Sequence, residues 1–164
     1  MLAIAGRSFR FTAVEPGAPA TLPGSYTQFS EPAHSAPFGS YQVLRPDTPR
    51  LSGLTAPPFW ANEVWRMGNR EDRVVIEIYH VMNSRWTPVA NLSPDFASGT
   101  IQPFAGRRAA PAVHAINYPY DQAILINRLL HADVLVVHGS AVVIDGRGYV
   151  FFGPSGAGKT TLSR

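Results

Sequence analysis

The tightest structural demand in this chain comes from Gly153-Pro154-Ser155-Gly156-Ala157-Gly158-Lys159-Thr160. The string satisfies every fixed position of the phosphate-loop pattern G-x-x-x-x-G-K-[ST], which works only between a strand and a helix. Its three glycines carry no Cβ, so the backbone can turn through positive φ and aim N–H groups at phosphate oxygens. Pro154 has no N–H to offer but fixes its own φ at the first corner. Tyr149-Val150-Phe151-Phe152 reads as a β-prone run leading into the loop, and a helix is expected from about Lys159. Lys159 is the only lysine, every other cationic side chain being arginine. The expected phosphate-binding set is Gly153, Pro154, Ser155, Gly156, Ala157, Gly158, Lys159, Thr160 and Thr161. Lys159 would meet the outer phosphates and the Thr160 hydroxyl Mg²⁺, with ATP and Mg²⁺ as cofactors.

Composition bounds the rest. A length of 164 residues with 45% hydrophobic residues allows one medium domain or two small ones with a packed core. No apolar run approaches the ~20 residues of a membrane-spanning helix, and the first residues are too short in their apolar part for a signal peptide. Without cysteine there is no disulfide framework and no thiolate metal site. A soluble cytoplasmic protein with no membrane partner is the expectation. The net charge of +3 comes from singly scattered arginines, with only Arg107-Arg108 adjacent, so a solvated surface is expected and nucleic acid is not.

Three zones succeed one another. The first, about 1–58, opens with alternation over Phe9–Val14, which predicts a half-buried strand, then turns rich in Pro, Gly, Ser and Ala, with one strand candidate at Tyr41–Arg45. The second, about 59–104, reads as a β-meander: strands over Phe59–Met67, Arg73–Val81, Trp86–Leu92 and Thr100–Phe104, with Trp60, Trp65 and Trp86 filling a small core. The third, from Ala112, has a turn at Tyr118-Pro119, Asp121 as helix N-cap, and Leu125, Ile126, Leu129 and Leu130 on one helical face. A strand over Val134–Ile144, the turn Asp145-Gly146-Arg147-Gly148 and the strand Tyr149–Phe152 then form a hairpin into the loop.

The run from Leu135 through His138-Gly139 to Val143, together with Gly148–Thr160, resembles the start of the catalytic domain of HPr kinase/phosphorylase-like proteins. About residues 117–164 share the likeness. It implies a phosphoenolpyruvate-carboxykinase-like P-loop fold, an ATP- and Mg²⁺-dependent kinase acting on a protein or peptide serine, and a place for His138 near the catalytic carboxylate. Two departures point to the looser kinase-related group: Thr161 stands where an acidic residue is usual, and the amino-terminal region is β-rich. The family's catalytic aspartate and second metal-binding acid lie downstream of the loop, beyond Arg164. Asp133 and Asp145 do not replace them, so the expectation is a fragment inactive by itself.

The combined expectation is an α+β fold: a β-rich, Pro/Gly-rich region over 1–111, then the helix, β-hairpin and P-loop that begin a kinase domain over 112–164. Its partners would be a nucleotide and an acceptor protein or peptide, with a homo-oligomer left open. An ABC-type or other P-loop ATPase fragment and a non-catalytic binding module with a vestigial phosphate loop are the alternatives. Among the five histidines, His34, His80, His114 and His131 show no ligand spacing and read as structural or surface residues, leaving His138 as the one catalytic candidate.

Overall fold

The structure is a computed structural model that describes residues 1–14, 20–30, 32, 36–45, 48–81, 84–103, 113–114, 116, 118–137, 139–154 and 156–162; the side chains of residues 20, 113, 114, 160 and 162 are outside that description. Arg107-Arg108, His34, His138, Phe104 and Ser155 therefore lie outside the described residues.

Strands come first: β1 (Leu2–Ile4), β2 (Arg7–Ala13) and β3 (Ala20–Thr21), then a 3₁₀ helix (Gly24–Phe29) and β4 (Gly39–Val43). The meander comes next as β5 (Trp60–Ala61), β6 (Trp65–Arg70), β7 (Arg73–His80), β8 (Arg85–Leu92) and β9 (Ser98–Ile101). After β10 (Val113–His114) come α1 (Tyr120–Leu130), β11 (Gly139–Ile144), β12 (Arg147–Phe152) and α2 (Lys159–Leu162). Eight of the strands make one mixed sheet in the order β1-β2-β4-β9-β8-β7-β6-β5. Pairing is antiparallel except that β4 runs parallel to β2 on one side and to β9 on the other. Two small sheets stand apart from it, β10 with β3 and β11 with β12.

The expected α+β class is overturned by this architecture. The chain is mainly β, and α1, at 11 residues, is the one helix among the described residues that exceeds two turns. The error has a physical source. Strands from the first 43 residues join the meander through β4, so the two zones build one sheet instead of a loop-rich leader and a small meander. Beyond α1 the chain forms a two-stranded antiparallel hairpin and a single helical turn, not the parallel, helix-flanked sheet of a P-loop kinase.

Two hairpins, β1–β2 in the large sheet and β11–β12 apart from it, close with two-residue connections. Ala5 and Gly6 both take positive φ between the paired Ile4 and Arg7, and Asp145 and Gly146 do the same between Ile144 and Arg147, the twist that matches flanking strands in a tight hairpin. Between β7 and β8 the register shifts at Ile76/Glu77, which lets Pro88 stand in an interior strand without breaking the ladder. The carbonyl of the extra residue, Val89, accepts a hydrogen bond from Gln102 N at 2.8 Å.

One face of the sheet carries the core. Phe9, Tyr41, Ile76, Leu92 and Ile101 pack there with Ile116 and with Ile124 and Leu129 of α1. Each fully buried aliphatic side chain of this kind contributes about 1.5–3 kcal/mol. The helix buries a different stripe from the one its spacing predicts: Tyr120, Asp121, Ala123, Ile124, Leu125 and Leu129 go in, while Ile126 and Leu130 are exposed. Asp121 sits in the first turn, after Pro119 at the N-cap position, and its Oδ2 accepts the Tyr26 hydroxyl at 2.8 Å. Arg128 ties the far end down, donating from Nε to Phe38 O at 2.8 Å and from Nη1 towards Asp95 Oδ2 at 3.4 Å.

The opposite face is covered by the irregular segment after β4. Val75 and Glu77 point there by alternation, and both are buried. Glu77 accepts Leu54 N on Oε1 at 3.0 Å and Arg66 Nε on Oε2 at 2.5 Å, while Arg66 lies 4.5 Å over the Trp86 ring. Gln102 clamps the same segment, accepting Leu51 N and turning its amide nitrogen towards Thr48 O, Thr48 Oγ1 and Pro49 O. The expected tryptophan core is corrected too: Trp60 is 39% exposed, tilted against Trp65 at a ring distance of 3.8 Å, and of the three tryptophans only Trp65 packs against the main core.

Candidate functional site

The phosphate-loop string leaves the end of β12, the return arm of the β11–β12 hairpin. The predicted strand over Val134–Ile144 is shorter than expected: residues 134–137 are not in a strand, and pairing starts at Gly139 opposite Phe152. Gly139 is required there, because a Cβ would come within 2.7 Å of the Phe151 carbonyl oxygen. That close approach brings Ser140 level with Phe151, and the Ser140 hydroxyl donates to Lys159 O at 2.8 Å. The first residue of α2 is thereby pinned to β11. Sequence reasoning missed Ser140; the signal was its place directly after His138-Gly139 on the strand paired with the loop strand.

Within the loop, Gly156 and Gly158 take φ of +82 and +79, conformations that glycine reaches without steric cost. Ala157 N donates to Pro154 O at 3.3 Å and Thr161 N to Gly158 O at 3.0 Å, so the chain turns tightly into α2 at Lys159. The Lys159 ammonium curls back over this turn and donates to Gly153 O at 3.1 Å and Pro154 O at 2.9 Å. Gly153, Pro154, Gly156, Ala157, Gly158 and Thr161 are exposed, and Lys159 is half-buried. The backbone of Thr160 lies in α2; its side chain, like all of Ser155 and His138, is outside the described residues. The structure thus brings the described loop residues together around one ammonium. It adds no geometry for His138 or for a Mg²⁺ ligand.

Charged neighbours are sparse. Asp133 and Asp145 are exposed turn residues, at φ of 55 and 49. Among the described residues no three His, Cys, Asp or Glu side chains gather as a metal site, and no helix is long and apolar enough to cross a membrane. Around the loop the surface is apolar instead: Val143, Val150 and Phe152 of the hairpin are 76%, 57% and 74% exposed, and Leu135 before it is 77% exposed.

Fold and site together define a mainly β protein that carries a phosphate-loop string on the open end of a hairpin. Set against known proteins, the chain matches no family model, no curated protein and no solved structure.

Proposed function

We propose that residues 153–161 bind the phosphate groups of ATP, with Mg²⁺ at Thr160, and that this binding serves the transfer of a phosphoryl group to a serine hydroxyl of a protein or peptide in the cytoplasm. The observation that carries the reading is the Lys159 ammonium, which rests on Gly153 O and Pro154 O inside its own loop. Among the described residues no acidic side chain pairs with this cation, and an arriving phosphate supplies the counter-charge. The positive φ of Gly156 and Gly158 supports the same reading, since left-handed backbone at such positions is how a loop can turn N–H groups towards an anion.

The residues present fit the phosphates better than they fit the rest of the reaction. Lys159 would neutralise the outer phosphates, and the loop backbone would fix their position. Mg²⁺, when bound, would spread the charge that develops on the transferred oxygens. The assignment of a serine acceptor, and of His138 to the neighbourhood of the reacting group, rests on the resemblance of residues 117–164 to HPr kinase-related proteins. It does not rest on the fold class, which the eight-stranded sheet has replaced.

The test is a titration of the protein with Mg-ATP beside Lys159→Ala. Removing the ammonium is expected to weaken binding by at least about tenfold, because a charge-assisted contact to phosphate is worth about 1.5–3 kcal/mol. Equal affinity in the two proteins would sink the loop assignment. Labelled γ-phosphate appearing on serine peptides would then separate a kinase from a binding module that holds nucleotide without turning it over.

A further inference from the structure

A cavity of about 330 Å³ opens far from the loop in sequence, between the β1–β2 turn, the approach to β4 and the last turn of α1. Gly6, Arg7, Ser8, Pro37, Phe38 and Arg128 line it. Two guanidinium groups meet at one ring there: Arg128 Cζ lies 3.8 Å and Arg7 Cζ 5.3 Å from the Phe38 centroid. Among the described residues no acidic side chain lines the cavity. Asp95, 3.4 Å from Arg128 Nη1, balances one positive charge, and no acidic side chain among the described residues lines the cavity beside Arg7.

Two features turn this pair into a prepared site. Arg128 is held in place, with Nε on Phe38 O at 2.8 Å and Nη1 towards Asp95 O at 3.3 Å. A guanidinium has five N–H donors, more than these contacts use, so the fixed fork can still serve a ligand. Arg7 is exposed at the start of β2, and the turn at Gly6 aims it over the same ring. Like charges brought together by separate elements repel unless an anion joins them, and two forks match the oxygens of a doubly charged tetrahedral oxyanion. The volume is at the lower end of the ~300–1,000 Å³ of small-molecule sites, enough for a phosphate group with a small carrier.

We infer that the Arg7–Phe38–Arg128 cavity is a phosphate-group binding site, separate from the residue 153–161 loop. The experiment tracks backbone amide shifts of isotope-labelled protein during titration with inorganic phosphate at constant ionic strength. Saturable shifts are expected at Gly6, Ser8 and Phe38. Arg7→Gln should weaken them at least about tenfold and Arg7→Lys less, since lysine keeps the charge and loses the fork. Lys159→Ala should leave these shifts unchanged, so failure of the loop reading and failure of this one are seen separately. Absence of saturation at Gly6, Ser8 and Phe38, or an Arg7→Gln protein that binds as tightly as the parent, overturns the site. Succinate binding as tightly as phosphate overturns its assignment to phosphate.

Discussion

Gln102 is fully buried at the end of β9, and its amide holds together a segment that has no strand of its own. Four oxygens, from Arg45, Thr48 and Pro49, crowd around an Nε2 that carries two hydrogens, so the donors are shared and the site tolerates no smaller or apolar replacement. Gln102→Leu leaves Leu51 N and several carbonyls buried without their partner and is expected to lower stability by about 2–4 kcal/mol. A shift of the urea midpoint with an unchanged slope would show it; a midpoint within error of the parent would contradict it. At this scale the sequence is legible where a residue acts through its own backbone. The positive φ at Gly146, Gly156 and Gly158 is the expected outcome of glycine in a turn string. It is not legible where a residue acts across the fold. Nothing near Gln102 or Glu77 in sequence announces Leu51 or Leu54 as their partners.

The elements divide in the same way. Phe9–Val14, Arg73–Val81 and Trp86–Leu92 are readable because alternation and β-branched runs belong to the strand itself, and they reappear as β2, β7 and β8. The stretch Phe59–Met67 reads as continuous, yet Asn62 breaks it: its Oδ1 accepts both Val64 N and Trp65 N and turns the chain between β5 and β6. The helix stripe departs from its spacing because Leu, Ile and Tyr occupy almost every face of α1, and only the sheet beneath decides which of them goes inward. The β11–β12 hairpin contrasts with all of these. A two-stranded hairpin without a covering layer is marginal, and this one exposes Val143, Val150 and Phe152. Its amides are expected to exchange with solvent at least about a hundredfold faster than those of β7 and β8, which lie inside the large sheet. Equal protection in a hydrogen-exchange measurement would contradict that ranking.

At the scale of the molecule, three tyrosines link the core to pH. Burial holds the phenols of Tyr26, Tyr41 and Tyr120 protonated well above the usual tyrosine value of 10.0; beside Tyr26 and Tyr120 the Asp121 carboxylate pushes the same way, and near Tyr41 Arg128 opposes it. Proton counting gives the sign. Below the ordinary value both folded and unfolded chains keep these protons, so the contribution is whole. Above it the unfolded chain releases them first and stability falls as pH rises. Urea midpoints measured from about pH 8 to about pH 11 should decline over the upper part of that range, and Asp121→Asn should soften the decline. A flat profile would show that these phenols are not held by the fold.

The placement of β4 between two parallel partners has a consequence for how the protein is made. Antiparallel neighbours in the meander close through short turns, but Tyr41 can meet Gly99 only after the intervening chain exists. During synthesis from the amino terminus, β1, β2 and β4 emerge while β9 is still unwritten, and one edge of β4 stays open with its backbone groups unpaired. The Pro-rich stretch after it, which later lies over the far face, is poor material for a stray strand partner. The nascent chain thus carries a half-sheet waiting for its complement, and the ribosome's pace sets how long it waits.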